Sequence, residues 1–181
     1  PTTDASFDEA AFEASGYSDL ASWRREIVSR LVADIYSTVK SCNSTVLFGV
    51  SPQGNVSNNL NKLYADVDRW CAYAGYLDYV VPQIYYGYSG SLPFDEAAQQ
   101  WRNLVTNPNV TLVCGIAAYK VGTTTEWSSG RMLSEQTEFA KALGYDGCAY
   151  YRYSSLFSTG SDVSNLITNE ISGIINAMAL F

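Results

Sequence analysis

The sequence predicts a single α/β domain with a parallel sheet, and three observations support this fold class. Apolar residues recur at intervals of three and four in five segments, which is typical of amphipathic helices. Four short, nearly continuous apolar runs lie between those segments, and this pattern indicates parallel strands in a sheet covered on both faces. The 181 residues, of which 47% are hydrophobic and 16% charged, are enough to form one core.

The first half of the chain contains two helix–strand pairs. A helix is predicted over residues 19–41, with one apolar stripe that is expected to face the core and consists of Leu20, Trp23, Ile27, Leu31, Ile35 and Val39. The run TVLFGV at 45–50 predicts the first strand. Helical spacing then predicts a second helix through Leu60, Leu63, Val67, Trp70 and Cys71. The run LDYVVPQI at 77–84 predicts the second strand.

The second half of the chain repeats this alternation. Helices are predicted around 94–106, 131–143 and 162–179, and strands at 110–119 and 147–153. Strands joined by such helices take right-handed crossovers, so the four strands are expected to be parallel in one sheet. No glycine-rich phosphate-binding loop follows any of them, so neither a nucleotide site nor any other cofactor is predicted.

Composition excludes several classes of function. The chain has 18 acidic and 11 basic residues, and its net charge of −7 argues against nucleic acid or an anionic membrane as a partner. It has no histidine, which rules out a Ser-His-Asp triad and any metal site that uses histidine. No apolar run approaches the roughly 20 residues that a membrane span requires. The first 15 residues lack the basic and apolar parts of a signal peptide.

The four cysteines are predicted to be free thiols. Cys42, Cys71, Cys114 and Cys148 show no CxxC spacing. Cys114 and Cys148 fall within predicted neighbouring strands, where cysteine commonly serves as a small buried apolar residue. Both are therefore expected to lie in the apolar layer.

Polar and aromatic residues follow each of the four predicted strands. Because the carboxyl ends of parallel strands meet at one edge, where α/β proteins bind ligands, these residues are predicted to form one site. Tyrosine and tryptophan rings beside directed hydrogen-bond donors suit a sugar, although any single tyrosine could equally cap the core. The predicted ligand-binding residues are Gln53, Asn55, Gln83, Tyr85, Tyr86, Tyr119, Lys120, Trp127, Arg152 and Tyr153.

Six segments of the chain carry a resemblance to a known family. They are WRREIVSRLVADIY, FGVSPQGN, LYADVDRWC, YLDYVVPQIYYGY, GIAAYKVGTTTEW and DGCAYYRYSSLF. In order and spacing they resemble the second half of the glycosyl hydrolase-like 10 family, bacterial TIM-barrel proteins. The resemblance implies that residues 1–181 are one partial (β/α)8-barrel domain containing strands five to eight. It also implies action on cell-wall glycan or a related polysaccharide, and a location outside the cell or in the cell envelope.

The resemblance also bears on the catalytic carboxylates. In this family the fourth strand typically ends in Asp-Asp-Tyr-Phe-Tyr-Pro, and Pro1 corresponds to the final proline, which implies that the paired aspartates lie upstream of this chain. Glycosidases generally use two carboxyl groups. Among those present, Glu126 follows the third strand on the ligand-binding side and is the candidate acid, with a solvated loop residue as the alternative. Asp4 and Asp8 are weaker candidates, whereas Asp78, at the amino end of its strand, is expected to cap a helix or form a salt bridge.

Three functions remain open from the sequence. The first is a glycoside hydrolase in which this chain supplies mainly the sugar-binding half of the site, and Lys120 and Arg152 meet hydroxyl, acetamido or carboxyl groups of the glycan. The second is a carbohydrate-binding protein without catalysis. The third is a barrel aldolase or isomerase with Lys120 as a Schiff-base amine. Since four strands cannot close an eight-stranded barrel, the expected partner is the missing amino-terminal half or a second copy of the chain.

Overall fold

The structure is a computed structural model that describes residues 7–157, 164–179 and 181. Helices and strands alternate along most of the chain. Their order is α1 (Glu9–Ser15), α2 (Leu20–Cys42), β1 (Gly49–Val50), α3 (Val56–Lys62), α4 (Val67–Ala72), β2 (Tyr79–Val80), α5 (Phe94–Leu104), β3 (Thr111–Ile116), α6 (Met132–Ala142), β4 (Gly147–Tyr150), α7 (Tyr153–Phe157) and α8 (Ser164–Met178). Two short 3₁₀ turns, Ala118–Lys120 and Glu126–Ser128, follow β3.

The four strands form one parallel sheet in the order β1-β2-β3-β4. Each strand is followed by at least one helix, as in half of a TIM barrel, so the predicted α/β fold class is confirmed. The first two strands are shorter than predicted. The first strand lacks the predicted residues 45–48, where the N–H of Phe48 donates to the carboxylate of Asp78 and not to a backbone carbonyl. Pro82 interrupts the second strand because proline has no N–H to donate to a neighbouring strand, and single parallel bridges from Gln83 to Gln53 and to Gly115 continue the sheet beyond it.

The helices differ from the predictions in three places. The predicted second helix is divided into α3 and α4, because Tyr64 adopts a left-handed conformation (φ 55°) and the Asp66 side chain caps α4 by accepting from the N–H of Arg69. Helices α1 and α7 were not predicted. The start of the last predicted helix, at 162, lies outside the described residues. No helix in the described parts of the chain is both long enough and apolar enough to cross a membrane.

The core lies between the sheet and one layer of helices. Strand residues Val80, Leu112 and Cys114 are fully buried against Phe94 and Trp101 of α5. The indole N–H of Trp101 donates to the carbonyl of Gly54 at 2.8 Å, which satisfies its polar group and ties α5 to the loop after β1. This layer of helices positions the carboxyl ends of the strands.

The opposite face of the sheet is open, contrary to the expectation of a sheet covered on both faces. Residues alternate between the two faces of a strand, so Val81, Val113 and Ala149 point away from the helices. Ala149 is exposed, and the two valines are only half-buried. In a closed barrel the strands of the other half cover this inner face, whereas four strands leave it accessible.

The predicted core stripe of α2 is wrong in its middle part. Ile27, Leu31 and Ile35 are 45%, 58% and 40% exposed. The helix instead packs through another side, where the Ser29 hydroxyl accepts a hydrogen bond from the indole N–H of Trp70 at 2.9 Å. The three residues form an exposed apolar stripe, which we call the α2 stripe.

Carboxylates secure the amino ends of the strands. Asp78 forms a salt bridge with Lys40 at 2.7 Å and accepts from the backbone N–H of Phe48 at 2.8 Å, as predicted for this position. Burial opposes its ionisation, but the hydrogen bonds from Lys40 and Phe48 outweigh it and hold the pKa of Asp78 below its usual value. In the same way, Asp146 accepts from the N–H of Leu112 at 2.8 Å.

The cysteine environments lead to a first testable prediction. All four thiols are free, with Cys114 and Cys148 side by side on β3 and β4, although Cys148 is only half-buried. Cys71 and Cys114 are fully buried, and burial raises the pKa of Cys71 to about 12. We expect iodoacetamide to label the exposed Cys42 in the folded protein and to reach Cys71 and Cys114 only after denaturation. Peptide mass spectrometry measures this, and a Cys114–Cys148 disulfide would contradict it.

Candidate functional site

Three tyrosines from successive strand ends meet at the carboxyl edge of the sheet. The ring centroids of Tyr85 lie 5.9 Å from Tyr119 and 5.8 Å from Tyr151, and Tyr119 and Tyr151 are 6.2 Å apart. Tyr119 and Tyr151 are 44% and 52% exposed. These residues, called here the tyrosine cluster, form a continuous aromatic surface. Tyr151 is absent from the predicted ligand-binding residues, although its position directly after the last strand could have identified it.

A small cavity lies beside the tyrosine cluster on the open face of the sheet. Its volume is about 170 Å³, and its lining includes Ser51, Val81 and Ala149 together with Tyr85 and Tyr151. The small side chains leave space next to the rings. The arrangement therefore offers a ligand both an aromatic surface and a recess that faces the interior of a barrel.

The two predicted glutamines lie on adjacent strands at this edge. The amide nitrogen of Gln83 donates to the carbonyl of Ser51 at 2.9 Å, which fixes the direction of the half-buried side chain. Gln53 is exposed, and its backbone is held by the buried Asn59, whose amide nitrogen donates to the Gln53 carbonyl at 2.7 Å. The side chain of Gln53 thus projects from a fixed backbone.

Asn55 and Tyr86 have structural contacts that the sequence did not suggest. The Asn55 side chain caps α3 by accepting from the N–H of Asn58 at 2.9 Å. Its own backbone N–H donates to the hydroxyl of Tyr86, a half-buried residue whose pKa is raised by burial. The Tyr86 ring lies so close to Gly54 that a side chain there would collide with it. Both predicted residues thereby help to shape the loop after β1.

The loop after β3 contributes a second recess. A cavity of about 280 Å³ lies between it and the loop after β2, bordered by Ser89, Lys120, Thr124 and Glu126. Trp127 is only 3% exposed and packs beneath this recess, with the ammonium of Lys120 5.6 Å from its ring centroid. A sugar therefore has no open ring face at Trp127 in this conformation.

The carboxylate of Glu126 is engaged by the loop after β2. It accepts hydrogen bonds from the N–H groups of Tyr88 at 2.6 Å and Ser89 at 2.9 Å, and from the Ser89 hydroxyl at 3.0 Å. Partial burial opposes ionisation, but these hydrogen bonds prevail and the pKa of Glu126 is lowered. A general acid needs a raised pKa, so the geometry suits an anchoring carboxylate. The catalytic role of Glu126 stays a prediction.

The remaining predicted residues are divided between the surface and an ion pair. Arg152 is exposed, and Tyr153 is 76% exposed at the start of α7. Asp8 forms a bidentate ion pair with Arg24, in which its carboxylate oxygens lie 2.8 Å from Nε and 2.7 Å from Nη2. These hydrogen bonds lower the pKa of Asp8. The ion pair gives Asp8 a structural role, and its weaker candidacy for catalysis stays a prediction. Asp4 lies outside the described residues.

Comparison with known proteins adds an independent observation. The sequence profile of the family described as glycosyl hydrolase-like 10 matches residues 3–130. The chain is 35% identical over 133 residues to "Glycosyl hydrolase YngK" of Bacillus subtilis strain 168, covering 63% of the chain and 26% of that protein. It is 36% identical over 121 residues to "Glycosyl hydrolase DigH" of Escherichia coli K12, covering 59% and 27%. The chain thus spans about a quarter of the length of these relatives.

Proposed function

Because this chain belongs to the glycosyl hydrolase-like 10 family, we propose that it supplies the sugar-binding half of a glycoside hydrolase site. The proposed substrate is bacterial cell-wall glycan or a related polysaccharide, met outside the cell or in the cell envelope. The observation that carries the proposal is the tyrosine cluster, which lies at the carboxyl edge of a parallel sheet beside an open recess. In TIM barrels that edge is where substrates bind.

Each group in the proposed site has a role that follows from its exposure. The exposed faces of Tyr119 and Tyr151 would stack on the apolar C–H faces of sugar rings. Gln53 and Gln83 would exchange hydrogen bonds with hydroxyl groups, since an amide both donates and accepts. Arg152 would meet an acetamido, hydroxyl or carboxylate oxygen, with which its several N–H groups can form parallel hydrogen bonds.

Hydrolysis of O-glycosyl bonds requires a second carboxyl group beyond Glu126. We propose that the principal pair comes from aspartates preceding Pro1, as the resemblance implies, and that residues 1–181 act as one partial barrel domain. Their partner would be the amino-terminal half-barrel or a second copy of the chain. The open inner face and the exposed α2 stripe support this, because both leave apolar surface that a closed barrel would cover.

One observation favours a second candidate, a carbohydrate-binding protein without catalysis. The lowered pKa of Glu126 keeps it ionised, which is compatible with binding but not with proton donation to a leaving group. The aldolase or isomerase alternative has less support. The amine of Lys120 donates to the carbonyl of Tyr85 at 2.6 Å, whereas a Schiff-base lysine must present its amine to a substrate.

The proposed contacts are tested by replacing Tyr151 or Gln83 with alanine. Each variant is expected to weaken glycan binding by about 1 kcal/mol or more, roughly fivefold in Kd, because a stacked ring or a satisfied hydrogen bond is lost. Calorimetric titration with soluble peptidoglycan fragments measures the affinity. Tyr73→Ala is the matched control, since Tyr73 is 65% exposed at the end of α4.

The same variants separate a binding role from a structural one. Both should keep the thermal midpoint of the parent chain within a few degrees, since Tyr151 is more than half exposed. If thermal stability collapses while the remaining folded protein binds glycan with unchanged affinity, these residues belong to the core and the site is wrongly assigned.

A further inference from the structure

The loop that carries Tyr85 and Tyr86 is held through several of its backbone groups. We call residues 85–89 the tyrosine loop. Lys120 donates from its amine to the Tyr85 carbonyl at 2.6 Å, and Gln136 donates from its amide to the Tyr86 carbonyl at 2.8 Å. The Gly87 carbonyl accepts from the N–H of Phe94 at 2.7 Å. Glu126 accepts from the next two N–H groups of the loop. Three of these partners, Lys120, Glu126 and Gln136, contribute side chains and lie after β3 in the sequence.

Gly87 marks how closely Glu126 approaches this loop. A Cβ atom at Gly87 would overlap the carboxylate of Glu126, so any larger residue would push that side chain away. Gly87 is itself buried and has no positive φ, so the requirement for glycine comes from close packing. The Glu126 carboxylate and the tyrosine loop are therefore closely packed against each other at Gly87.

Gln136 is the least expected of the three partners. It lies on α6 and is fully buried, and its amide oxygen has no hydrogen-bond partner among the described residues. An unpaired buried polar atom destabilises a protein, so a leucine of similar size would serve the core at least as well. What a leucine cannot do is donate to the Tyr86 carbonyl. The amide nitrogen of Gln136 also approaches Met132 Sδ within its own helix, whereas the hydrogen bond to the Tyr86 carbonyl connects it with the proposed site.

We propose that Lys120, Glu126 and Gln136 are positioning residues that order the tyrosine loop before a sugar arrives. Binding then does not have to supply the entropy cost of ordering the loop, which is the usual benefit of a preorganised site. This inference rests on the proposed sugar-binding function. It assigns to Gln136 a role in a site that its side chain, being buried, does not touch.

The test uses Gln136→Leu and Glu126→Ala in the full 181-residue chain. Hydrogen–deuterium exchange of the Tyr88 and Ser89 amides is measured without ligand, because those N–H groups donate to Glu126. Affinity for soluble peptidoglycan fragments is then measured on the same samples. Gln100→Leu is the matched control, since Gln100 is exposed on α5.

We expect at least tenfold faster exchange at Tyr88 and Ser89 in Glu126→Ala, because alanine has no side-chain oxygen to accept from these two N–H groups. We expect Gln136→Leu to lower affinity about fivefold while its thermal midpoint stays within a few degrees of the parent chain. A residue with a purely structural role would change affinity only when stability changes. The control should alter neither exchange nor affinity.

Three outcomes would overturn the inference, each at a different step. Unchanged amide exchange in Glu126→Ala would mean that the carboxylate does not hold the loop. Faster exchange with unchanged affinity in both variants would mean that loop order does not matter for binding. Absence of glycan binding by the parent chain, with the exchange difference present, would overturn the proposed function and leave the loop contacts as structural.

Discussion

Replacing Glu170 with alanine is expected to lower the free energy of unfolding by about 3 kcal/mol. Glu170 lies on α8 and is fully buried, and its carboxylate accepts from the N–H groups of Met132 at 3.0 Å and Leu133 at 2.9 Å. These are the first two residues of α6, which has no side-chain cap of its own at Arg131. Alanine would leave both N–H groups buried without an acceptor and would open a cavity.

Urea denaturation followed by circular dichroism measures this change. Glu138→Ala is the control, because Glu138 is exposed on α6 and its replacement should alter stability by no more than about 0.5 kcal/mol. A Glu170→Ala variant as stable as the control would show that α8 does not cap α6. The close contact between Gly173 and Ser134 predicts that the two helices pack tightly at the next turn of α8.

The isolated chain is expected to bind glycan without cleaving it, which is the largest functional effect in this account. The carboxyl edge contains the tyrosine cluster, and among the described residues at this edge Glu126 is the carboxylate predicted to be the acid, but hydrogen bonds hold it ionised. Without a second carboxyl group, the acceleration that glycosidases draw from an acid–base or acid–nucleophile pair is lost. Binding depends on stacking and hydrogen bonding and does not need that pair.

The alternation of helices and strands could be predicted from the sequence because it depends on local periodicity. Apolar spacing identified α2, α5 and α6, and continuous apolar runs located the four strands along the chain. Strand lengths were less predictable, since Pro82 interrupts the second apolar run, and in the first run the N–H of Phe48 donates to the Asp78 carboxylate instead of to a neighbouring strand. Periodicity indicates that a helix has an apolar face but not what covers it. For this reason Ile27 and Leu31 were placed in the core, whereas they lie on the exposed α2 stripe.

The candidate site could be predicted as a location but not in its contacts. The residues after each strand do meet at one edge, and the tyrosine cluster is built from three of them. The partners that fix the site were missed because they act across long sequence separations. Gln136 holds a carbonyl 50 positions away, and on its own helix it is a polar residue without a motif. The burial of Trp127 likewise depends on tertiary packing, which local sequence patterns do not show.

The central claim is that this chain supplies the binding half of a glycosidase site. Its most direct test is to incubate purified residues 1–181 with peptidoglycan glycan strands and to measure retention on the glycan together with release of reducing ends. Lysozyme serves as the positive control for release. The account predicts retention without release, and weaker retention of Tyr151→Ala. A compact monomer that releases reducing ends would contradict it and would place the catalytic pair among Asp4, Asp8 and Glu126, and a chain that is not retained would contradict the binding role itself.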